Sequence, residues 1–143
     1  MSAQLQAYIA RRNADTVFIA NIESVPAIEN LDEILQLPGL DGVFIGPHDL
    51  SCSLGIPEQY DHPVFIETVT TLIQKARAKK ISVGIHFSEE PERQIYWASV
   101  GVNIIVHSSD LAMFKQRFQS DLQTIRSALA DPSAMNQDKT PVI

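Results

Sequence analysis

The stretch Asp41-Gly42-Val43-Phe44-Ile45-Gly46-Pro47-His48-Asp49-Leu50-Ser51 decides the fold of this chain. Its apolar centre, Val43 to Ile45, is typical of a buried strand, and Gly46-Pro47 ends that strand abruptly. Asp49 follows two residues after the proline. In α/β proteins, an acid placed in this way lies at the carboxyl edge of a parallel sheet, where binding sites are built.

Apolar runs and amphipathic segments alternate on both sides of this stretch. The predicted strands cover residues 17–22, 43–45, 81–87 and 102–106. The predicted helices cover residues 2–13, 31–37, 64–79, 90–100 and 110–129. Residues 24–30 and 51–63 are predicted loops, although Pro26 also suits the first turn of a helix. The second loop directly follows the stretch that carries Asp49, and a lid or specificity loop would lie there.

This order of elements predicts a parallel α/β sheet, because one helix precedes four successive strand–helix units. Four units make either a small open sheet or half of a (β/α)8 barrel, and the short chain alone favours the open sheet. We expect one domain over residues 1–130. The polar segment 131–143 is expected to be a mobile tail.

Composition excludes several classes of function. The chain has 143 residues, 45% hydrophobic and 20% charged, which predicts a soluble globular protein. A net charge of -6 without a basic block argues against nucleic-acid binding. Cys52 is the single cysteine, so an intrachain disulfide and a thiolate zinc site are excluded. The sequence shows neither a signal peptide nor a long apolar span, so we expect a cytoplasmic protein without a membrane partner.

Two acidic side chains follow neighbouring predicted strands. Side chains alternate along a strand, so Asn21 and Glu23 share one face. Asp49 follows the next strand. Because adjacent strands lie about 4.8 Å apart, we expect Asp49 to lie beside Glu23. Two such carboxylates repel each other unless one is protonated or a cation lies between them, and Mg²⁺ or Mn²⁺ suits such oxygen ligands. The alternative is that each acid only caps a helix or loop.

The wider pattern resembles a known family. Residues 22–24 read Ile-Glu-Ser, and residues 27–34 read Ala-Ile-Glu-Asn-Leu-Asp-Glu-Ile. Residues 39–55 read Gly-Leu-Asp-Gly-Val-Phe-Ile-Gly-Pro-His-Asp-Leu-Ser-Cys-Ser-Leu-Gly. Over residues 15–110 the sequence resembles the HpcH/HpaI aldolases, a family that includes 2-dehydro-3-deoxyglucarate aldolases and is related to the citrate lyase β subunit.

The resemblance implies the C-terminal half of a (β/α)8 TIM barrel. It also implies that Glu23 and Asp49 bind a divalent metal, Mg²⁺ or Mn²⁺ with Co²⁺ as a further option. That metal would hold pyruvate or its enolate while a 4-hydroxy-2-oxo acid is cleaved to pyruvate and an aldehyde. Asn21 stands where the family often has glutamine, and the backbone N–H groups of His48 and Asp49 would help to bind the pyruvate carboxylate.

The family takes its base and its substrate-binding arginine from the first half of the barrel, so no catalytic residue is assigned in this chain. None of Arg11, Arg12, Arg77 and Arg93 lies in a matching context. We therefore expect a truncated or split aldolase. The alternative is an inactive half-barrel that binds metal or pyruvate, or serves only as an assembly module. Because a half-barrel exposes two strand edges, the expected partner is a second copy or a complementing N-terminal half-barrel.

Two histidines have alternative interpretations. His48 occupies a position that is commonly small in the family, and it either reaches the site or lies on a surface loop. His86, near the end of the third predicted strand, is either a substitute base or a histidine satisfied at the barrel rim.

Overall fold

The computed structural model describes residues 2–88 and 91–129. Contacts within the chain divide it into two compact units, one up to His107 and the other from Ser108. The tail predicted over residues 131–143 and the domain boundary at residue 130 lie outside the described residues. Within the described ranges, no helix has both the length and the apolarity needed to cross a membrane.

The first unit is a parallel sheet with helices between its strands. Its strands are β1 (Ile19–Ile22), β2 (Gly42–Ile45), β3 (Ser82–Phe87) and β4 (Ile104–His107). Its helices are α1 (Ala3–Ala14), α2 (Val25–Glu29), α3 (Leu31–Ile34), α4 (Pro47–Ser53), α5 (Pro63–Ala78) and α6 (Pro91–Val100). The strands lie in the order β1-β2-β3-β4, and every pairing is parallel. The second unit contains α7 (Asp110–Ala128).

One face of the sheet forms the core of the first unit. Ile22, Ile45 and Ile85 lie side by side in register, and each is at most 1% exposed. The helical side chains buried in the same core include Phe65, Val69, Leu72, Ile73 and Ala76 of α5 and Trp97 of α6. Full burial of a large apolar side chain contributes roughly 1.5–3 kcal/mol, so this layer fixes the position of the strands.

The other face of the sheet carries the site. Asn21, Phe44 and Gly84 form a row across β1, β2 and β3. Ile19 and Val106 also lie on this face, and they remain 40% and 43% exposed.

The first strand is shorter in the structure than the predicted range of residues 17–22. Val17 and Phe18 are 69% and 48% exposed and precede β1, which starts only at Ile19. In the described part of the chain β1 pairs with β2 alone, so its second edge and its apolar residues face no neighbouring strand.

Three other predictions differ from the structure by three residues or more. Residues 25–29 form α2 instead of a loop, because the Ser24 hydroxyl accepts a hydrogen bond from the Ala27 N–H at 3.4 Å and Pro26 occupies the first turn. α3 ends at Ile34, before the predicted stop at residue 37. The loop predicted over 51–63 starts later, at residue 54, because Pro47 begins α4 with a φ suited to a first helical turn.

Candidate functional site at the carboxyl edge of the sheet

A cavity of about 700 Å³ opens where β1, β2 and β3 end. The four residues predicted to form the site all line it: Asn21, Glu23, His48 and Asp49. Carboxyl ends of parallel strands meet at one edge of a sheet, which explains why residues more than 20 positions apart converge here. His86 also lines the cavity, as expected for a residue near the end of β3, and it is half-buried.

Glu23 is held closely against the backbone of β2. The Asn21 side-chain amide donates a hydrogen bond to Glu23 Oε2. A Cβ atom placed on Gly46 would lie 2.9 Å from Glu23 Oε2 and 3.0 Å from Glu23 Cβ. A side chain at position 46 would therefore force the Glu23 side chain to shift.

Asp49 lies in the first turn of α4, where the helix dipole favours a negative charge. Neither it nor Glu23 caps a helix, since the N-cap residue is Gly46 for α4 and Ser24 for α2. Both carboxylates are thus placed toward the cavity without a capping role.

The donor atoms of this site suit a hard cation. Within the described residues, no group of three His, Cys, Asp or Glu side chains is arranged to hold a metal. Glu23 and Asp49 provide carboxylates, and Asn21 provides an amide. Mg²⁺ needs only one or two carboxylates and completes its shell with water and substrate, whereas structural Zn²⁺ needs four N or S ligands. The residues present fit the first kind of cation.

Part of the cavity wall comes from the loop of residues 54–62, through Glu58 and Tyr60. Glu58 has φ 59°, and its N–H donates to the Ser51 hydroxyl at 2.9 Å. This unusual backbone conformation brings Glu58 Oε1 to 3.4 Å from His48 Nδ1. The loop is therefore fixed to α4 on the same side as Asp49.

Arg93 is the other residue that the sequence does not place here. Its terminal nitrogens donate to the two carboxylate oxygens of Asp61 at 2.8 and 3.2 Å. Its guanidinium carbon lies 5.4 Å from the Tyr60 ring centroid and 5.5 Å from that of Phe87. Arg93 follows β3 by six residues, and that position close after a strand end is the sequence signal that could have indicated it.

Replacing Arg93 by glutamine is expected to raise the pKa of Asp61. The hydrogen bond from Arg93, and then its positive charge, hold that pKa below its usual value. In the native chain this pairing favours folding above the ordinary carboxyl pKa of about 3.9, and the benefit is lost as the pH falls through the lowered value. Carbon-detected NMR titration of the carboxyl groups measures the shift.

Asp32 provides the matched control for this titration. A hydrogen bond from Lys75 holds its pKa low in the same way, far from Arg93 in sequence. Its titration should not change in the Arg93→Gln variant. An unchanged Asp61 titration would contradict the pairing of Arg93 with Asp61 in solution.

Gly46→Ala is expected to weaken binding of a divalent cation by roughly 10-fold, because the new methyl group displaces the Glu23 carboxylate. Titration calorimetry with Mn²⁺ measures the loss. Gly42→Ala, at the start of β2, is the control, since its Cβ would meet the Ser82 carbonyl at 3.2 Å and no site residue. Equal Mn²⁺ affinity in both variants would show that the space at Gly46 does not matter for the site.

Comparisons of the sequence and of the structure with known proteins identify the same family. The sequence profile of the family described as HpcH/HpaI aldolase/citrate lyase matches residues 1–114. A 2-keto-3-deoxy-L-rhamnonate aldolase from Klebsiella pneumoniae is 34% identical over 140 residues, which are 96% of this chain and 49% of that protein. The matched part of that protein is its C-terminal half.

Two crystal structures show the same relation in three dimensions. An HpcH/HpaI aldolase from Desulfitobacterium hafniense is 27% identical with a TM-score of 0.75, over 88% of this chain and 49% of that one. An HpcH/HpaI aldolase/citrate lyase family protein from Burkholderia cenocepacia is 24% identical with a TM-score of 0.78. The match covers 85% of this chain and 47% of that one, and at this identity it supports the fold alone. The chain spans about half the length of the relatives it matches. The prediction of half a TIM barrel is confirmed. It is favoured over the alternative prediction of a small open sheet.

Proposed function

Because this chain belongs to the HpcH/HpaI aldolase/citrate lyase family, we propose that it is the metal-binding half of an aldolase that cleaves 4-hydroxy-2-oxo acids to pyruvate and an aldehyde. The observation that carries the proposal is the convergence of Glu23 and Asp49 on one cavity at the carboxyl edge of the sheet. The space that Gly46 leaves for the Glu23 carboxylate supports it.

Each site residue has a defined part in this proposal. Glu23 and Asp49 hold a divalent cation, Mg²⁺ or Mn²⁺. When bound, such a cation supplies Lewis-acid stabilisation of negative charge on the oxygens of a 2-oxo acid. Asn21 orients Glu23 through its amide and is close enough to the cavity to contact the substrate. His48 and Asp49 present first-turn N–H groups, which lack intrahelical acceptors, to the substrate carboxylate.

Cleavage also requires proton transfer. Breaking the bond between C3 and C4 removes the proton of the C4 hydroxyl and leaves the electron pair on C3, so a base must lie near C4. We assign this base, and the substrate-binding arginine, to the half of the barrel that is not present in this sequence. The chain alone is accordingly expected to bind a cation and pyruvate more readily than it turns over substrate.

We further propose that the sheet of this unit is completed at β1 and β4 by a complementing N-terminal half-barrel or by a second copy. Both edge strands have a single neighbour in the described part of the chain, and Ile105 and Val106 of β4 are 50% and 43% exposed. Exposed apolar edges favour pairing with another strand. Light scattering after size-exclusion chromatography tests this, and a monodisperse monomer would contradict it.

Pyruvate release from a 4-hydroxy-2-oxo acid tests the function directly. The chain is assayed with Mg²⁺ or Mn²⁺, alone and mixed with a separately expressed N-terminal half of a family relative. Activity in either sample that disappears on chelation supports the aldolase. Metal and pyruvate binding without turnover in both samples favours the second candidate, an inactive half-barrel. If the chain neither binds metal and pyruvate nor turns over substrate, only the role of assembly module is left.

A further inference from the structure

Glu23 lies in a short connection outside the regular structure of the sheet. β1 ends at Ile22 and α2 begins at Val25, so Glu23 and Ser24 belong to neither element. The Gly46 N–H donates to the Ile22 carbonyl at 3.2 Å, which extends the pairing of β1 with β2 by one hydrogen bond. Glu23 follows that hydrogen bond along the chain, so the pairing of the strands does not by itself fix its backbone.

A side chain of α4 holds the end of this connection. The Val25 N–H donates to the Ser53 hydroxyl at 3.0 Å, across 28 positions of sequence. Val25 is the first residue of α2, where a backbone N–H has no acceptor within its own helix. The Ser53 hydroxyl therefore supplies the acceptor that this N–H needs, and it joins the connection that carries Glu23 to α4.

Ser53 and Asp49 lie on the same face of α4. They are four residues apart, which places their side chains about one helical turn from each other. The helix is anchored in the core, since Leu50 and Ser51 are fully buried. One short helix thus places Asp49 at the cavity from its first turn, and holds the backbone after Glu23 from its last residue.

We propose that Ser53 is a positioning residue that sets the spacing of the Glu23 and Asp49 carboxylates through its hydrogen bond to Val25. The inference rests on the proposed function, since both acids are taken to hold the cation. Selectivity between cations depends on the size and the flexibility of a site. A fixed spacing favours Mg²⁺, which needs near-ideal geometry at about 2.1 Å, over Ca²⁺, which accepts variable geometry at about 2.3–2.6 Å. Ser53 therefore determines the preference of the site for small divalent cations.

Cation binding to Ser53→Ala tests this role without any need for turnover. Displacement of Mn²⁺, followed by the electron paramagnetic resonance signal of the free ion, gives the affinities for Mg²⁺ and Ca²⁺. We expect the Mg²⁺ affinity to fall by roughly 10-fold and the Ca²⁺ affinity to stay within about threefold, because a looser spacing suits the larger ion. Ser53→Thr keeps the hydroxyl and should retain the wild-type ratio of the two affinities.

Removing the donor of the hydrogen bond provides an independent variant. Val25→Pro lacks the N–H, and proline suits the first position of a helix. Ser24, at φ -148° and ψ 156°, already has the extended backbone that a following proline favours. Val25→Pro should lower the Mg²⁺ affinity as much as Ser53→Ala does. The two substitutions together should lower it no further, because both remove the same interaction.

Asn103→Ala is the matched control for a hydrogen bond with a purely structural role. The Asn103 side-chain oxygen accepts from the Val83 N–H at 2.8 Å, just before β4, and neither residue lines the cavity. Its loss should leave the ratio of the Mg²⁺ and Ca²⁺ affinities unchanged. Circular dichroism and urea denaturation show whether each variant is folded during the titrations.

The outcomes distinguish this inference from the proposed function. A wild-type ratio in Ser53→Ala or in Val25→Pro, with binding that still needs Glu23 and Asp49, overturns the role of Ser53 and leaves the proposed function intact. An equal change in Asn103→Ala, or unfolding of both Ser53→Ala and Val25→Pro, would make the hydrogen bond structural and also overturn that role. If the wild-type chain binds no divalent cation, or binds it without Glu23 and Asp49, the proposed function fails together with the inference.

Discussion

Replacing Glu23 by alanine will lower the affinity for Mn²⁺ by roughly 100-fold, and Asp49→Ala will do the same. A hard cation bound by only two protein carboxylates loses half of the negative charge that the protein supplies when one of them is removed. Asn21 cannot substitute for the lost acid, because an amide oxygen carries no charge. Calorimetric titration with Mn²⁺ measures the affinity, and circular dichroism confirms that each variant is folded.

Glu67→Gln is the matched control for these variants. Glu67 is an exposed acid on α5 that does not line the cavity, so its loss changes the net charge equally. Its Mn²⁺ affinity should stay within about twofold of the wild type, since exposed charges far from a site are largely screened. Unchanged binding in both Glu23→Ala and Asp49→Ala would show that the cation, if it binds at all, uses other residues.

Gly84→Ala is expected to destabilise the fold by about 2 kcal/mol, the cost of overpacking a tightly filled site. A Cβ on Gly84 would lie 2.3 Å from Cδ2 of the Phe44 ring and 3.3 Å from Ile104 Cβ. Phe44 lies on the neighbouring strand in register with Gly84 and lines the cavity of the candidate site, so its ring must move. Urea denaturation of the two proteins measures the difference in the free energy of unfolding.

A double-mutant cycle identifies the ring as the cause. In the Phe44→Ala background, Gly84→Ala should lose most of its cost and change stability by less than about 0.5 kcal/mol. Additive effects of the two substitutions would mean that the penalty comes from Ile104 or from the backbone, and not from the Phe44 ring.

The order of strands and the identity of the two acids could be predicted from the sequence because both depend on local patterns. Continuous apolar runs ended by Gly46-Pro47 or by Glu23 define strand ends, and the carboxyl ends of parallel strands meet at one edge. The roles of Glu23, Asp49, Asn21 and His48 remain predictions. Their placement on a common cavity follows from the same rule.

The sequence predicts a loop beside the site, but it does not show which residues of that loop reach the cavity. Glu58 reaches His48 only through a positive φ, which is uncommon outside glycine. Arg93 lies at the site because the rings of Tyr60 and Phe87, 27 positions apart in sequence, meet around it. The first strand was predicted two residues too long because Val17 and Phe18 continue the apolar run of β1, although they precede that strand and are exposed.

The aromatic cluster around Arg93 has an optical consequence. Trp97 is the only tryptophan of the chain and is 1% exposed, so its indole fluorescence should be shifted to shorter wavelengths than that of a solvated indole. The Tyr96 ring, 4.9 Å away, can transfer excitation energy to it, and Trp97 and Arg93 line a common cavity of about 230 Å³. The protein thus contains an intrinsic fluorophore near Arg93, which also lines the cavity of the candidate site, and its emission can test ligand binding there without any attached dye.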